Sequence, residues 1–129
     1  MPEHPADLPL FSRAEAARLL GVPYQQIVRA VLKRRQNWRA LSLQNVYDLG
    51  FKSEGEWLYD ADGPVAYRPL PGVIVRPGVG WGRICMEGTG IGTAVVASRI
   101  RGGESIQGVA DDFGVDEALV RAAVAFEGR

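Results

Sequence analysis

Twice in this chain a helix-forming run stops at Gly-Val and restarts within three residues. "SRAEAARLLGVPYQQIVRAVLKRR" does so at Gly21-Val22-Pro23, and "SIQGVADDFGVDEALVRAAVAFE" does so at Gly114-Val115-Asp116. Glycine takes the left-handed backbone that closes a helix without a Cβ penalty. Two short helices joined this tightly must pack on each other, which is the outline of a helix-turn-helix. No other local pattern in the chain restricts the fold as much.

The first run begins with a capping box. The Ser12 hydroxyl can meet a free backbone N–H, and Glu15 can reach back to the cap. Phe11 precedes the cap, and Ala16, Leu19 and Leu20 form an apolar stripe. A second helix should start near Pro23 or Tyr24, with Ile27, Val28, Val31 and Leu32 inward. "SLQNVYDLG" offers a short third helix, capped by Ser42 and stopped by Gly50. Tyr24, Gln25, Gln26 and Arg29 then lie on the outer, early part of the second helix, the part that enters the major groove in this motif. Gln pairs with adenine and Arg with guanine. Lys33, Arg34 and Arg35 follow, in a basic cluster that continues through Trp38 to Arg39, and are placed for phosphates; the alternative is a solvated helix end, where cations also favour the C-terminal dipole.

The charge distribution supports that division of labour. The chain is neutral overall, but residues 1–40 carry seven Lys/Arg against three Asp/Glu, and residues 41–129 carry eight against twelve. One nucleic-acid face and one protein-binding face would give this asymmetry.

The middle of the chain changes character. "EWLYDADGPVAYRPLPGVIVRPGVGWG" is rich in aromatic and β-branched residues and predicts short strands near 56–59, 65–69 and 73–76, with "DADG" as a hairpin turn. Pro69, Pro71 and Pro77 argue for edges and irregular pairing. Trp57, Tyr59, Asp60 and Asp62 offer an aromatic and acidic surface for a protein partner; the alternative is that the aromatics are hairpin core and the acids are solvated. The glycines of "GVGWGRICMEGTGIG" lack the Gly-Lys-Ser/Thr ending of a phosphate loop and read as structural turns.

Chemistry is thinly supplied. Cys85 is the single cysteine and His4 the single histidine. That excludes a disulfide framework within the chain and leaves metal and histidine chemistry without residues. Cys85 reads as a small buried hydrophobe. The expectation is a protein with no catalytic residues, no metal and no cofactor, and not an enzyme. No apolar run approaches ~20 residues, and "MPEHPADLPLF" lacks the regions of a signal peptide, so a cytoplasmic protein is expected.

In the third part, Thr93 should cap a helix closed by Gly102. Ser105 caps the next, with Ile106, Val109, Ala110 and Phe113 inward. Asp116 caps the last, with Leu119, Val120, Ala123 and Val124 or Phe126 inward. Here the supposed reading helix carries Asp116 and Glu117, after Asp111 and Asp112, and acids repel phosphate. Its other residues, Ala118, Ala122, Ala123 and Ala125, are small and suit close helix packing. The expected role is a homodimer interface through Val95, Val96, Leu119, Ala122, Ala123 and Phe126; the alternative is packing within one chain.

"WGRICMEGTGIGTAVVASRIRGGESIQGVADDFGVDEALVRAAVAFE" resembles the domain-of-unknown-function family 433. Gly82, Gly88, Thr89, Ile91, Gly103, Glu104, Ser105, Ile106, Ala110, Asp112, Phe113, Gly114 and Val120 stand where that family's pattern expects them. "DGPVAYRPLPGVIVRP" looks like the strands that precede this domain in VapB-like antitoxins, and "FSRAEAARLLGVPYQQIVRAVL" resembles their MerR-like winged helix-turn-helix. The resemblance implies operator DNA and a PIN-type nuclease toxin as partners.

The expected fold class is therefore mainly α with a small β element: an N-terminal winged helix-turn-helix plus a C-terminal helical, helix-turn-helix-like domain. The expected organisation is a disordered tail over 1–10, the helix-turn-helix over 11–50, short strands as wing and linker over 51–80, and a helical dimerisation domain over 81–129. The expected function is sequence-specific DNA binding by a homodimeric transcriptional regulator, the antitoxin of a type II toxin–antitoxin pair that represses its own operon. The alternatives are an adaptor that binds protein rather than DNA, and a stand-alone, phage-type regulator.

Overall fold

Ser12 opens the first helix as the sequence requires. Its hydroxyl accepts from the Glu15 N–H at 3.0 Å, and the Glu15 carboxylate accepts from the Ser12 N–H at 3.2 Å. The structure is a computed structural model and describes residue 6, residues 9–35 and residues 40–129. Helix α1 (Arg13–Leu20) buries Ala16, Ala17, Leu19 and Leu20. It ends at Gly21, whose φ of 69° is the left-handed conformation. The Val22 N–H donates back to the Ala17 carbonyl at 3.1 Å, satisfying one of the carbonyls a helix end leaves over. Helix α2 (Tyr24–Lys33) follows and buries Ile27 and Val31. Helix α3 (Leu43–Asp48) has a reciprocal cap of its own, between Ser42 and Asn45.

The chain divides into two units, residues 1–69 and 70–129. In the first, strand β1 (Pro9–Phe11) pairs antiparallel with β2 (Leu41–Ser42) beside the three helices. Of the tail expected over residues 1–10, residues 1–5, 7 and 8 lie outside the described residues, while Pro9 and Leu10 belong to β1 and are not tail. Strands β3 (Glu56–Asp60) and β4 (Gly63–Leu70) form a hairpin. Its register shifts between Leu58 and Tyr59, where Tyr59 faces Pro64. Proline has no N–H to give the ladder, and a bulge absorbs the missing bond. Tyr67 is buried, with its hydroxyl 2.5 Å from the Ser53 hydroxyl.

In the second unit, strands β5 (Val73–Val75) and β6 (Ile84–Met86) pair antiparallel, and helices α4 (Thr93–Arg101), α5 (Ile106–Phe113) and α6 (Glu117–Glu127) pack with them. Met86, Val96, Val109, Ala110, Val120 and Ala123 form its core, flanked by Ile91, Ile100, Ile106, Phe113, Val115 and Leu119. The Ser105 hydroxyl caps α5, Gly114 closes it at φ 69°, and Asp116 caps α6. Thr93 does not cap α4 as expected: Gly92 is the cap. The Thr93 hydroxyl is buried and bonds the Glu127 carboxylate at 2.7 Å, which joins the two ends of this helical layer.

The expectation of a mainly α, winged helix-turn-helix fold is corrected. Among the described residues there are six α-helices and a four-stranded antiparallel sheet in the order β3-β4-β5-β6. It is a substantial sheet, not a small wing on an N-terminal helical domain. Its extent was concealed because "ICM" is three residues long among glycines, too short for a visible strand pattern, while the prolines read as signs of irregular pairing.

Both units contain the same local device. Ser12 and Ser105, Ala17 and Ala110, Gly21 and Gly114, Val22 and Val115, and Ile27 and Val120 are each 93 positions apart. Each set plays one role: cap, buried alanine, left-handed closure, turn and first buried residue of the following helix.

Candidate nucleic-acid interface

Helix α2 has one covered and one open face. Ile27 and Val31 are fully buried, and these positions fix the rotation of the helix. Tyr24, Gln25, Gln26, Arg29 and Lys33 are all exposed. At about 100° per residue, Gln25, Arg29, Lys33 and Gln26 share a single solvent-facing arc. The structure therefore brings together the amide and guanidinium groups singled out as base readers. Helix α1 packs against α2 and is joined to it by the Gly21 turn.

Leu32, expected inward, is 65% exposed. It falls on the Gln25–Arg29 side of the helix, one residue past the buried Val31. An exposed leucine beside this arc is a residue that sequence periodicity missed. The signal was its place directly after Val31, a quarter-turn round towards the Arg29 side. It is the apolar type that meets a thymine methyl in groove recognition.

The basic end of α2 is not uniform. The Arg34 guanidinium donates to the Asp48 carbonyl at the end of α3. Arg34 therefore ties α2 to α3 in addition to carrying charge. Arg35 takes a φ of 55° as the chain leaves α2 and is exposed, as is Lys33. Trp38 and Arg39 lie outside the described residues.

The matching helix of the second unit is used the opposite way. Residues 93 positions after Gln26, Arg29 and Lys33 are Leu119, Ala122 and Phe126. Phe126 is fully buried, and Leu119 and Ala122 are half-buried. A Cβ placed at Gly72, which has φ +91°, would lie 3.0 Å from the Ala122 Cβ and 3.4 Å from a Leu119 methyl. The turn before β5 thus rests on Leu119 and Ala122, while Ala118, the counterpart of Gln25, is exposed.

The six residues expected at a dimer interface have different surroundings within the chain. Val96, Ala123 and Phe126 are buried in the core of their own unit. Leu119 and Ala122 are partly covered by that same unit. Val95 alone of the six is exposed, at 44%. The sequence showed small and apolar residues on a helix but could not show that a two-residue turn near Gly72 occupies them.

The acidic groups of this unit are partly used in place. Arg99 grips Glu104 through two bonds of 2.5 and 2.7 Å and Asp112 through one of 2.6 Å, over the Phe113 ring. The Arg99 guanidinium holds the Glu104 carboxyl below its usual range. The family pattern contains Glu104 and Asp112, and their geometry here joins α4 to α5. Cys85 is buried, its thiol pushed up by burial, and its sulfur lies where a Cβ on Gly80 would reach 2.6 Å.

The expected partner residues are gathered in the first unit. Trp57 is half-buried, its ring 4.6 Å from Tyr67 and 5.0 Å from Tyr47. Tyr59 is 58% exposed and meets Tyr47 edge-on at 5.9 Å. Asp60 accepts from the Asp62 N–H at 2.7 Å, which shapes the hairpin turn. Tyr47, not singled out from sequence, joins the cluster because α3 turns it away from buried Leu43 and Val46.

The comparisons with known proteins fit this arrangement at the level of fold. An α+β chain with a four-stranded sheet and paired helix-turn-helix corners is the class that the geometry defines. Residues 73–126, which cover β5 to α6, match the family described as "Protein of unknown function (DUF433)". The whole chain is similar to the crystal structure of Rv2018 from Mycobacterium tuberculosis, with a TM-score of 0.71 and 17% identity over 92% of this chain and 98% of that one. No curated protein matches the sequence. No helix among the described residues is long and apolar enough to cross a membrane.

Proposed function

We propose that this protein binds double-stranded DNA in a sequence-selective way and acts as a transcriptional regulator. The observation that carries the reading is the open arc of α2. Gln25, Gln26, Arg29 and Lys33 project together from a short helix fixed at a tight helix–helix corner. In a major groove, Gln25 and Gln26 pair with adenine and Arg29 takes guanine bidentately. Lys33 and Arg35 meet phosphates and supply salt-dependent affinity. Leu32 adds an apolar contact at the rim. The α6 helix takes no part in this reading, because the matching positions are small or apolar (Ala118, Leu119, Ala122 and Phe126) and its first turn carries Glu117.

A finer form of the reading is that of a VapB-like antitoxin with a MerR-like reading corner. Such a protein represses its own operon, as a homodimer on a palindrome, and binds a PIN-type nuclease in the cytoplasm. The resemblance of residues 81–127 supports this form. The dimer then uses surfaces other than Val96, Ala123 and Phe126, with exposed Val95 the residue left from the expected set. A second reading, a protein-binding adaptor, is favoured by the exposed Tyr59 and the acids beside it.

Fluorescence anisotropy with the DNA upstream of the chain's own coding sequence tests the proposal. Binding should be selective over a scrambled duplex and should weaken steeply with salt. Equal binding to both duplexes, or none, removes the regulator reading and leaves the adaptor.

A further inference from the structure

The first unit has a second exposed surface, formed by α3 and the β3–β4 hairpin. Tyr47 is 36% exposed and Tyr59 58%. Their rings meet edge-on and their hydroxyls lie 3.5 Å apart. Trp57 packs behind Tyr47 and against Tyr67, so it anchors the pair from below. A core does not need two tyrosines half in water, and an edge-on pair leaves open ring faces.

Charge surrounds these rings on one side. The Gln44 side chain donates to Asp48 at 2.9 Å, and a Cβ on Gly63 would lie 3.9 Å from the Gln44 oxygen. The hairpin turn that carries Asp60 and Asp62 is therefore beside the α3 residues Gln44 and Asp48. The carboxylates of Asp48 and Asp62 belong to these two adjoining segments. Two cations stand near: Arg68 is committed to Glu56 at 2.5 Å, and Arg34 donates to the Asp48 backbone carbonyl. The Arg34 contact places a guanidinium at the rim of this face.

We propose that the Tyr47–Tyr59 face is a docking surface for a cationic, arginine-bearing segment of a partner protein. The rings offer their negative faces to a guanidinium, and the carboxylates accept its N–H groups in the paired geometry that arginine provides. Arginine is favoured over lysine because its planar head stacks and forks at once. Nucleic acid is disfavoured, since the carboxylates of Asp48 and Asp62 would repel its phosphates. The surface does not depend on DNA binding by α2.

The test titrates labelled nona-arginine and nona-lysine peptides into the full chain at physiological salt. Arginine should bind saturably and more tightly than lysine. Tyr59→Ser should weaken it about two- to fivefold, the range for an exposed cation–π contact, and Asp62→Lys should weaken it further. Both positions are exposed, so the fold stays intact, which the Trp57 indole NMR signal checks. Asp111→Asn with Asp116→Asn, a control at the other acidic site, should leave binding unchanged. Operator affinity of Tyr59→Ser should equal that of the unaltered chain, which separates this surface from the α2 reading. The proposal is overturned if arginine and lysine bind alike, if Tyr59→Ser binds normally, or if the loss follows Asp111 and Asp116 instead.

Discussion

Glu104 shows how much one side chain can hold. Its carboxylate receives two N–H groups of Arg99, whose third bond goes to Asp112, so α4 is fastened to the segment that leads into α5 and to the last turn of α5. The arginine holds the Glu104 carboxyl below its ordinary value near 4.5. A folded-state pKa that is depressed adds stability above the unfolded pKa, and that stability is lost as pH falls through the folded pKa. We predict that Glu104→Gln shallows the acid limb of the stability curve below about pH 4.5 and lowers the plateau above it. Urea melts across that range measure both; an unchanged acid limb contradicts the role. Gly55 makes a second residue-scale case. A Cβ there would lie 2.2 Å from the Tyr67 hydroxyl and 2.7 Å from the Arg68 carbonyl. Gly55→Ala should cost about 1–3 kcal/mol through overpacking, read as a fall in the urea midpoint, whereas Gly→Ala at an open, unstrained site gains stability.

At the scale of elements, the caps and turns were legible and the faces less so. Ser12, Ser42, Ser105 and Asp116 cap where the sequence places them, because a cap is a local arrangement of a hydroxyl or carboxylate and the next turn. Thr93 was misassigned because a hydroxyl at the first helical position looks like a cap until its partner 34 residues away, Glu127, is in view. Leu32 was misplaced because the three-residue apolar run Ala30-Val31-Leu32 at the helix end does not reveal how wide the buried face is. That Gln25, Gln26, Arg29 and Lys33 share an open face of α2 was legible for a simple reason: Ile27 and Val31 orient the helix, and the opposite side is exposed. The cover over Leu119 and Ala122 on α6 was not legible, because Gly72 reaches them from a distant part of the sequence. The two corners predict a matched pair of variants. Gly21→Ala and Gly114→Ala each force a left-handed alanine, costing roughly 1–2 kcal/mol. Only Gly21→Ala should also weaken DNA binding at temperatures where both variants remain folded. Equal losses of DNA affinity would show that the second corner contributes as well.

For the whole molecule, the sheet is where sequence reasoning fell short. Strands near residues 56, 65 and 73 were visible as β-branched and aromatic runs, but the fourth, Ile84–Met86, was hidden among glycines, and so the sheet read as a wing. With four strands in line, the chain takes the α+β form that it shares with the Rv2018 structure. The burial of Phe126 makes a further prediction at this scale. Phe126→Ala should destabilise the folded chain by about 3–5 kcal/mol, with a lowered unfolding midpoint that does not depend on protein concentration. A midpoint that rises with concentration in the unaltered chain and loses that dependence in the variant would restore Phe126 to a dimer interface.

The account depends most on the open arc of α2. Its most direct measurement is the salt dependence of operator binding for the unaltered chain, Arg29→Ala and Lys33→Ala. Arg29→Ala should lose about 1–3 kcal/mol on the operator and discriminate less against a scrambled duplex. Lys33→Ala should weaken both duplexes alike and reduce the log–log salt slope by about 1. If both variants bind every duplex with the affinity and slope of the unaltered chain, α2 is not the DNA-reading element.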